Sequence, residues 1–248
     1  MSVLTLQLAG PLQAWGSAGR FARRTTERAP TKSGVIGLLA AAQGRDRQAD
    51  VSDLAALRFG VRVDQRGTRV RDYQTAVHPD TGRRMPVSER FYLADGVFVA
   101  AVQSDDAALI RELHRAVREP VYLPYLGRRS CPPARPVDLG VHDGTDLAGA
   151  LAGEEWRASR WHQRRRRREE FVQLDVLLDA APGEVAPLDT QRDQPLSFDP
   201  LHRRYALRSV SAGRVTVRNP AAAPGPPDAS PSNPVPPDHD PTAVFEGD

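Results

Sequence analysis

Val97-Phe-Val-Ala-Ala-Val102 is an unbroken apolar run, and it reads as a buried strand. Ser104 or Asp105 then offers an N-cap. Leu109, Ile110, Leu113, Ala116 and Val117 fall on one face of a helix that runs to Arg118, and Pro120 stops it. Upstream, residues 3–8 alternate, with Leu4, Leu6 and Leu8 on one face of a first strand that Gly10-Pro11 ends. Ser33 is placed to cap a helix through Gln43, with Val35, Ile36, Leu38, Leu39 and Ala42 on its buried face. A short helical turn is expected over 53–58. Strand-like runs at 59–63 and 68–73 flank the turn sequence Asp64-Gln65-Arg66-Gly67, and 137–141 supplies a further strand.

The order strand, helix, strand, strand, helix, strand predicts an α+β fold with a ferredoxin-like or RRM-type domain over 1–141. A protruding β-hairpin arm is expected at about 74–90, where His78-Pro-Asp-Thr-Gly-Arg-Arg84 reads as a tip. Segments 171–178, 205–211 and 214–218 predict a smaller β-rich module over 142–218, with a helical or irregular stretch over 142–168. From Asn219 onward, nine prolines, several acids and little apolar content predict a disordered tail over 219–248.

The formal net charge is +3, but the tail holds five acids and no base. The preceding 218 residues are therefore five charges more positive, at +8. A body this basic points to a polyanion, and nucleic acid is the commonest. Lys32 is the only lysine, so the positive charge is almost all guanidinium, which grips phosphate in a fork and stacks on bases. Cys131 is the only cysteine, which excludes an internal disulfide and any cysteine-based zinc cluster. The six histidines show no metal-ligand spacing, so neither metal nor cofactor is expected. No apolar run reaches membrane-spanning length and the N-terminus has no signal-peptide pattern, so the expected compartment is the cytoplasm.

Three segments carry candidate chemistry. In the first, Leu8-Ala-Gly-Pro-Leu-Gln-Ala-Trp-Gly16 leads into Arg20, Arg23, Arg24, Arg28 and Pro30-Thr-Lys-Ser-Gly34. Glycines admit a ligand to the backbone, Trp15 offers a stacking face, and Lys32 with Ser33 at a helix N-terminus suits phosphate. Equally, Gly-Pro is only a strand exit, Trp15 is core and Ser33 merely caps; composition does not separate the two. The second, Tyr122-Leu-Pro-Tyr-Leu-Gly-Arg-Arg-Ser-Cys-Pro-Pro133, sets tyrosines, paired arginines and a hydroxyl on a punctuated loop, the groups that read single-stranded RNA; the alternative is a rigid connector whose tyrosines pack on the sheet, and exposed loops favour the binding role. The third has seven arginines within residues 157–168, read either as a nucleic-acid or partner contact or as a solvated loop neutralised by Glu154, Glu155, Glu169 and Glu170.

These segments resemble the CasD family of CRISPR-associated subunits. The resemblance rests on LAGPLQAWG (8–16), PTKSGVIGLL (30–39), VRDYQT (70–75), Arg90 with the 91–93 segment, and PYLGRRSCP (124–132), in the family's order. A weaker echo follows at 189–195 and 203–207, and 142–170 has no counterpart. The resemblance implies a non-catalytic RNA-binding subunit of the type I-E surveillance complex Cascade. It implies an RRM-like domain whose thumb folds over the guide RNA, and binding of the guide's 5′ handle. The implied partners are a backbone subunit, the large PAM-reading subunit and, through the complex, target DNA. RNA contact is thereby carried to Gln13, Trp15, Gly16, Arg24, Arg28, Lys32, Ser33, Arg71, Tyr73, Arg90, Tyr125, Gly127, Arg128, Arg129, Ser130 and Cys131. Two other readings stand beside it. One is a metal-independent endoribonuclease, with Tyr73, His78 and Lys32 cast as catalytic groups. The other is a basic adaptor that binds only proteins.

Overall fold

A computed structural model describes residues 1–16, 22–181, 183 and 189–223. The elements in chain order are β1 (Ser2–Ala9), β2 (Leu12–Gln13), β3 (Arg23–Arg24), α1 (Lys32–Ala42), α2 (Ser52–Ala55), β4 (Arg58–Gln65), β5 (Thr68–Gln74), β6 (Ser88–Ala94), β7 (Val97–Ser104), α3 (Ala107–Arg118), β8 (Asp138–Asp143), α4 (Leu147–Gly153), α5 (Arg160–Arg165), β9 (Phe171–Asp179), β10 (Asp189–Ser197) and β11 (Arg204–Arg218). The structure is mixed α+β and dominated by antiparallel sheets.

Seven strands form one sheet in the order β10-β11-β9-β4-β7-β1-β8. Its four strands β4-β7-β1-β8 carry α1 between β1 and β4, and α3 between β7 and β8. Leu4, Leu6, Leu8, Phe59 and Phe98 meet Ile36 and Leu39 of α1 and Ile110 and Leu113 of α3 on one face. On the other face Val3, Val99 and Ala101 meet Leu147, Ala150 and Leu151 of α4. Both faces of the central strands are covered, which is why β7 is apolar at consecutive positions rather than alternate ones. The strands of the expected C-terminal β-rich module extend this sheet, with Gly60, Val61 and Arg62 pairing with Leu178, Leu177 and Val176. The runs 205–211 and 214–218 are a single strand, β11.

Three local readings are corrected. The N-cap of α1 is Thr31, whose hydroxyl accepts from the Gly34 N–H; Ser33 lies inside the helix. The N-cap of α3 is Asp106, which accepts from Ala108 and Leu109 N–H, in place of Ser104 or Asp105. Asp64 and Gln65 belong to β4 and are buried, so the chain turns only at Arg66-Gly67. There Asp64 takes both Arg62 Nε, at 2.7 Å, and Nη2, at 2.9 Å, a fully buried ion pair whose remaining guanidinium protons go to the carbonyls of Leu151, Glu154 and Glu155. The first correction is testable. Thr31→Ala should cost about 1 kcal/mol of stability, the usual loss for an N-cap hydroxyl, and Ser33→Ala clearly less; urea titration of the two variants compares them. Asn219, read as the start of the tail, is 1% exposed and hydrogen-bonded into the fold. The rest of that reading, over 224–248, lies outside the described residues.

A second sheet stands on the first. β6 is its centre: β5 pairs along one edge (Thr68↔Ala94 to Gln74↔Ser88), while β2 and the parallel β3 share the other. Beyond it, residues 75–87 form an exposed extension closed by a bridge between Val77 and Arg84.

Candidate nucleic-acid interface

The 121–133 segment is stitched down rather than loose. Val121 and Tyr122 N–H donate to the carbonyls of Ala42 and Ala41 at the end of α1, supplying partners that helix C-termini lack. Leu126 and Cys131 then close a tight loop, Leu126 N–H to Cys131 O at 2.7 Å and Cys131 N–H to Arg128 O at 2.8 Å. This loop docks on the chain after β2, with Ala14 N–H donating to Leu126 O at 3.0 Å. Gly127 makes the docking possible: its φ is +82°, and a Cβ there would lie 1.8 Å from Ala14 O. Arg128 is held by Nη2 donating to Arg24 O at 2.9 Å and by its guanidinium lying 4.6 Å from the Tyr92 ring centre. Its Nη1 is buried without a partner among the described residues.

The N-terminus of α1 is already occupied. Asp193 of β10 accepts the Lys32 N–H at 2.8 Å, where a phosphate was expected. Lys32 is 4% exposed, and its ammonium meets Asp179 of β9 at 3.0 Å. Burial pushes its pKa down, against the pull of Asp179. Arg208 of β11 completes the network, at 2.6 Å from both Asp179 and Asp193. These bonds fold the β10–β11 ribbon over α1.

Loop, helix and ribbon are the walls of an open groove of about 2100 Å³. Arg24, Arg45 and Arg47 line it from the N-terminal third, Arg128 and Arg129 from the loop, and Arg192, Arg203 and Arg204 from the ribbon; among the described residues Asp46 is the one carboxylate. Arg45 pairs with Asp53, but Arg47, Arg129, Arg192, Arg203 and Arg204 enter no ion pair among the described residues. Tyr122, Tyr125, Phe198 and Tyr205 also line it, with Tyr122 half exposed. Cationic forks and ring faces along a trough are the elements of single-strand binding.

The β5–β6 hairpin adds two unlike faces. Arg24 pairs opposite Arg90, which shares a face with Tyr92 and so turns toward Arg128. Arg71 and Tyr73 lie opposite Phe91 and Glu89 and face the other way. Arg71 pairs with Glu89 at 3.2 Å and lies over the Tyr73 ring.

Of the residues singled out in the sequence, Trp15, Gly16, Arg24, Ser33, Tyr125, Gly127, Arg128 and Arg129 come together at the groove. Trp15 is nevertheless 0% exposed, with Nε1 donating to Gln13 Oε1 at 2.9 Å, and supports the floor with no free stacking face. Gln13 is equally buried, its amide donating to Leu8 O and Gly96 O. Cys131 is 1% exposed, and burial raises its thiol pKa, the reverse of an activated nucleophile. Arg28 and Ser130 are exposed but do not line the groove. Arg20 lies outside the described residues. Sequence reasoning missed Phe198, Tyr205 and the ribbon arginines as wall residues; the echo at 189–195 and 203–207 was the one signal for Tyr205 and the arginines, and Phe198 had none. Among the described residues no three His, Cys, Asp or Glu side chains are placed to hold a metal, and no helix is long and apolar enough to cross a membrane.

Residues 3–211 match the family model for the CRISPR-associated protein Cas5. The chain belongs to the Cas5 family. Over 174 residues this Cas5 chain is 40% identical to the CRISPR system Cascade subunit CasD of Escherichia coli, covering 62% of this chain and 77% of that one. Among solved structures it is similar to a crystal structure of a Cas protein, with 38% identity and a TM-score of 0.64 over 91% of this chain and 100% of the other. A chain of a CRISPR RNA-guided surveillance complex gives 31% identity and a TM-score of 0.69, covering 91% of the Cas5 chain and 95% of its own length.

Proposed function

We propose that this protein is a non-catalytic subunit of a Cascade-type surveillance complex, and that its groove holds the 5′ handle of the guide RNA. The observation that carries the reading is the convergence of eight arginines, Tyr122, Tyr125, Phe198 and Tyr205, from three distant parts of the chain, on one trough with a single carboxylate among the described residues. Phosphate forks supply affinity there, and ring faces receive splayed bases. The relative named CasD is a Cascade subunit, and the similar surveillance complex is RNA-guided. On this reading β4-β7-β1-β8 with α1 and α3 is a ferredoxin-like core, and β5–β6 is a thumb over the RNA. The protein then works in the cytoplasm and joins a backbone subunit to the large PAM-reading subunit, with target DNA reached through the complex. The endoribonuclease reading is disfavoured by Lys32, whose ammonium is buried against Asp179 and does not line the groove where a phosphorane would form.

The full chain with a labelled CRISPR repeat RNA tests this in EDTA. Retention of the 5′ handle without cleavage is expected. Arg128→Ala/Arg129→Ala should weaken retention by roughly 100-fold, at about 1.5 kcal/mol for each charge-assisted bond. Cleavage that vanishes with Tyr73→Phe or His78→Ala would make the protein a processing enzyme instead.

A further inference from the structure

The arginine-rich stretch at 157–168 is a built surface, set on the opposite side of the main sheet from the groove. Trp156, Ala158, Val172, Leu174 and Val217 form a small core under it. Val176 of β9 pairs opposite Arg62, whose side chain reaches under α4, so this core continues the α4 face; the groove lies on the α1 face. α5 is pinned on that core by polar bonds. Ser159 N–H and hydroxyl both reach Gln65 Oε1, at 3.1 and 2.7 Å, and buried Gln163 donates to Trp156 O at 2.7 Å. Asn219 donates to the Gln163 and Arg166 carbonyls, tying down the helix end.

Pinning divides the helix into two faces. His162, Gln163 and Arg166 turn inward, with Arg166 over the Trp156 ring. Trp161, Arg164 and Arg165 lie on α5 and Arg168 in the turn that follows it, and all four are exposed, Trp161 at 55%. The acids expected to neutralise them are engaged elsewhere. Glu154 is buried with Thr5, His142 and Arg157; Glu155 is nearest Arg157; Glu169 holds Arg166; Glu170 meets Arg218. Arg164, Arg165 and Arg168 enter no ion pair among the described residues. A short helix that crowds like charges without counter-charges opposes its own formation, and a polyanion on that face relieves the cost.

We propose that Trp161, Arg164, Arg165 and Arg168 form a second, sequence-independent binding site for single-stranded nucleic acid, separate from the guide groove. The arginines take successive phosphates and the indole takes one base by stacking. The site does not depend on the groove reading, since it shares no residue or sheet face with it.

The three tryptophans make the test direct. Trp15 and Trp156 are buried, so quenching of emission by a nucleic acid reports Trp161. A short oligothymidine titrated into the full chain should quench it, with a log–log salt slope near −2 for about three phosphates. Trp161→Phe should remove the signal. The R164Q/R165Q/R168Q variant, whose changes are all at exposed positions, should bind at least ~30-fold more weakly while keeping the wild-type circular dichroism. Arg128→Ala/Arg129→Ala should leave the quench unchanged while losing the repeat RNA. Unchanged emission would overturn the proposal and point to an acidic protein surface as the partner. A glutamine variant that binds like wild type, or a quench lost with the Arg128/Arg129 change, would overturn it equally. Equal quenching by a duplex of the same length would overturn the single-strand assignment.

Discussion

Asp193→Ala should lower stability by about 3–5 kcal/mol, the cost of removing one partner from a buried ion pair. The carboxylate is 1% exposed and serves three groups: Arg208 Nε at 2.6 Å, Arg208 Nη2 at 3.0 Å and the Lys32 N–H at 2.8 Å. Its loss leaves Arg208 with Asp179 and Gln191, and leaves the first turn of α1 with an orphan donor. Asp193→Asn keeps the shape and one acceptor, so it should cost less. The consequence reaches function, because the same bonds set the ribbon that carries Arg192, Arg203, Arg204 and Tyr205 into the groove. Urea unfolding measures the stability change, and RNA retention at a temperature where the variant stays folded measures the displacement of the wall. A loss under 1 kcal/mol would show that the network does not hold ribbon and helix together.

Gly127→Ala should be nearly as damaging, by roughly 3 kcal/mol or more. A residue with a Cβ at φ +82° carries a cost of about 1–2 kcal/mol. The overlap with Ala14 O adds a displacement of packed backbone worth about 1–3 kcal/mol. Ala14 belongs to the segment that holds Trp15, and the 126–131 loop holds Arg128, so the substitution parts the groove at its seam. RNA retention should fall at least as far as in Arg128→Ala/Arg129→Ala. Wild-type stability in Gly127→Ala, measured by thermal unfolding, would contradict the docking of the loop on Ala14.

The parts of this fold that sequence reveals are those with strong periodicity. The run at 97–102 and the strand at 3–8 fill the core on both faces of the main sheet, and the stripe of α3 packs on one of them. The ribbon was harder to read for a physical reason. β10 is an edge strand, which tolerates Pro195, and both its strands carry charge outward. Charge on a sequence does not disclose direction: Lys32 and Arg62 are buried ion-pair members and the Arg208 side chain is nearly so, whereas Arg129 and Arg164 face solvent. For the site, the 122–132 loop was legible because tyrosines, arginines and glycine stand together. Trp15 illustrates the converse, since the glycine-rich context that suggests ligand access also serves close packing: a Cβ at Gly34 would lie 2.8 Å from its ring.

The central claim is that the guide's 5′ handle lies in the groove between α1, the 122–132 loop and the β10–β11 ribbon. Photo-crosslinking tests it most directly, using handle RNA bearing 4-thiouridine, the full chain and peptide mapping by mass spectrometry. Adducts at Tyr122, Tyr125, Phe198 or Tyr205 are predicted, lost when Arg128 and Arg129 are changed to alanine. Adducts confined to the Tyr73 face of the hairpin or to Trp161, with the groove unmarked, would contradict it.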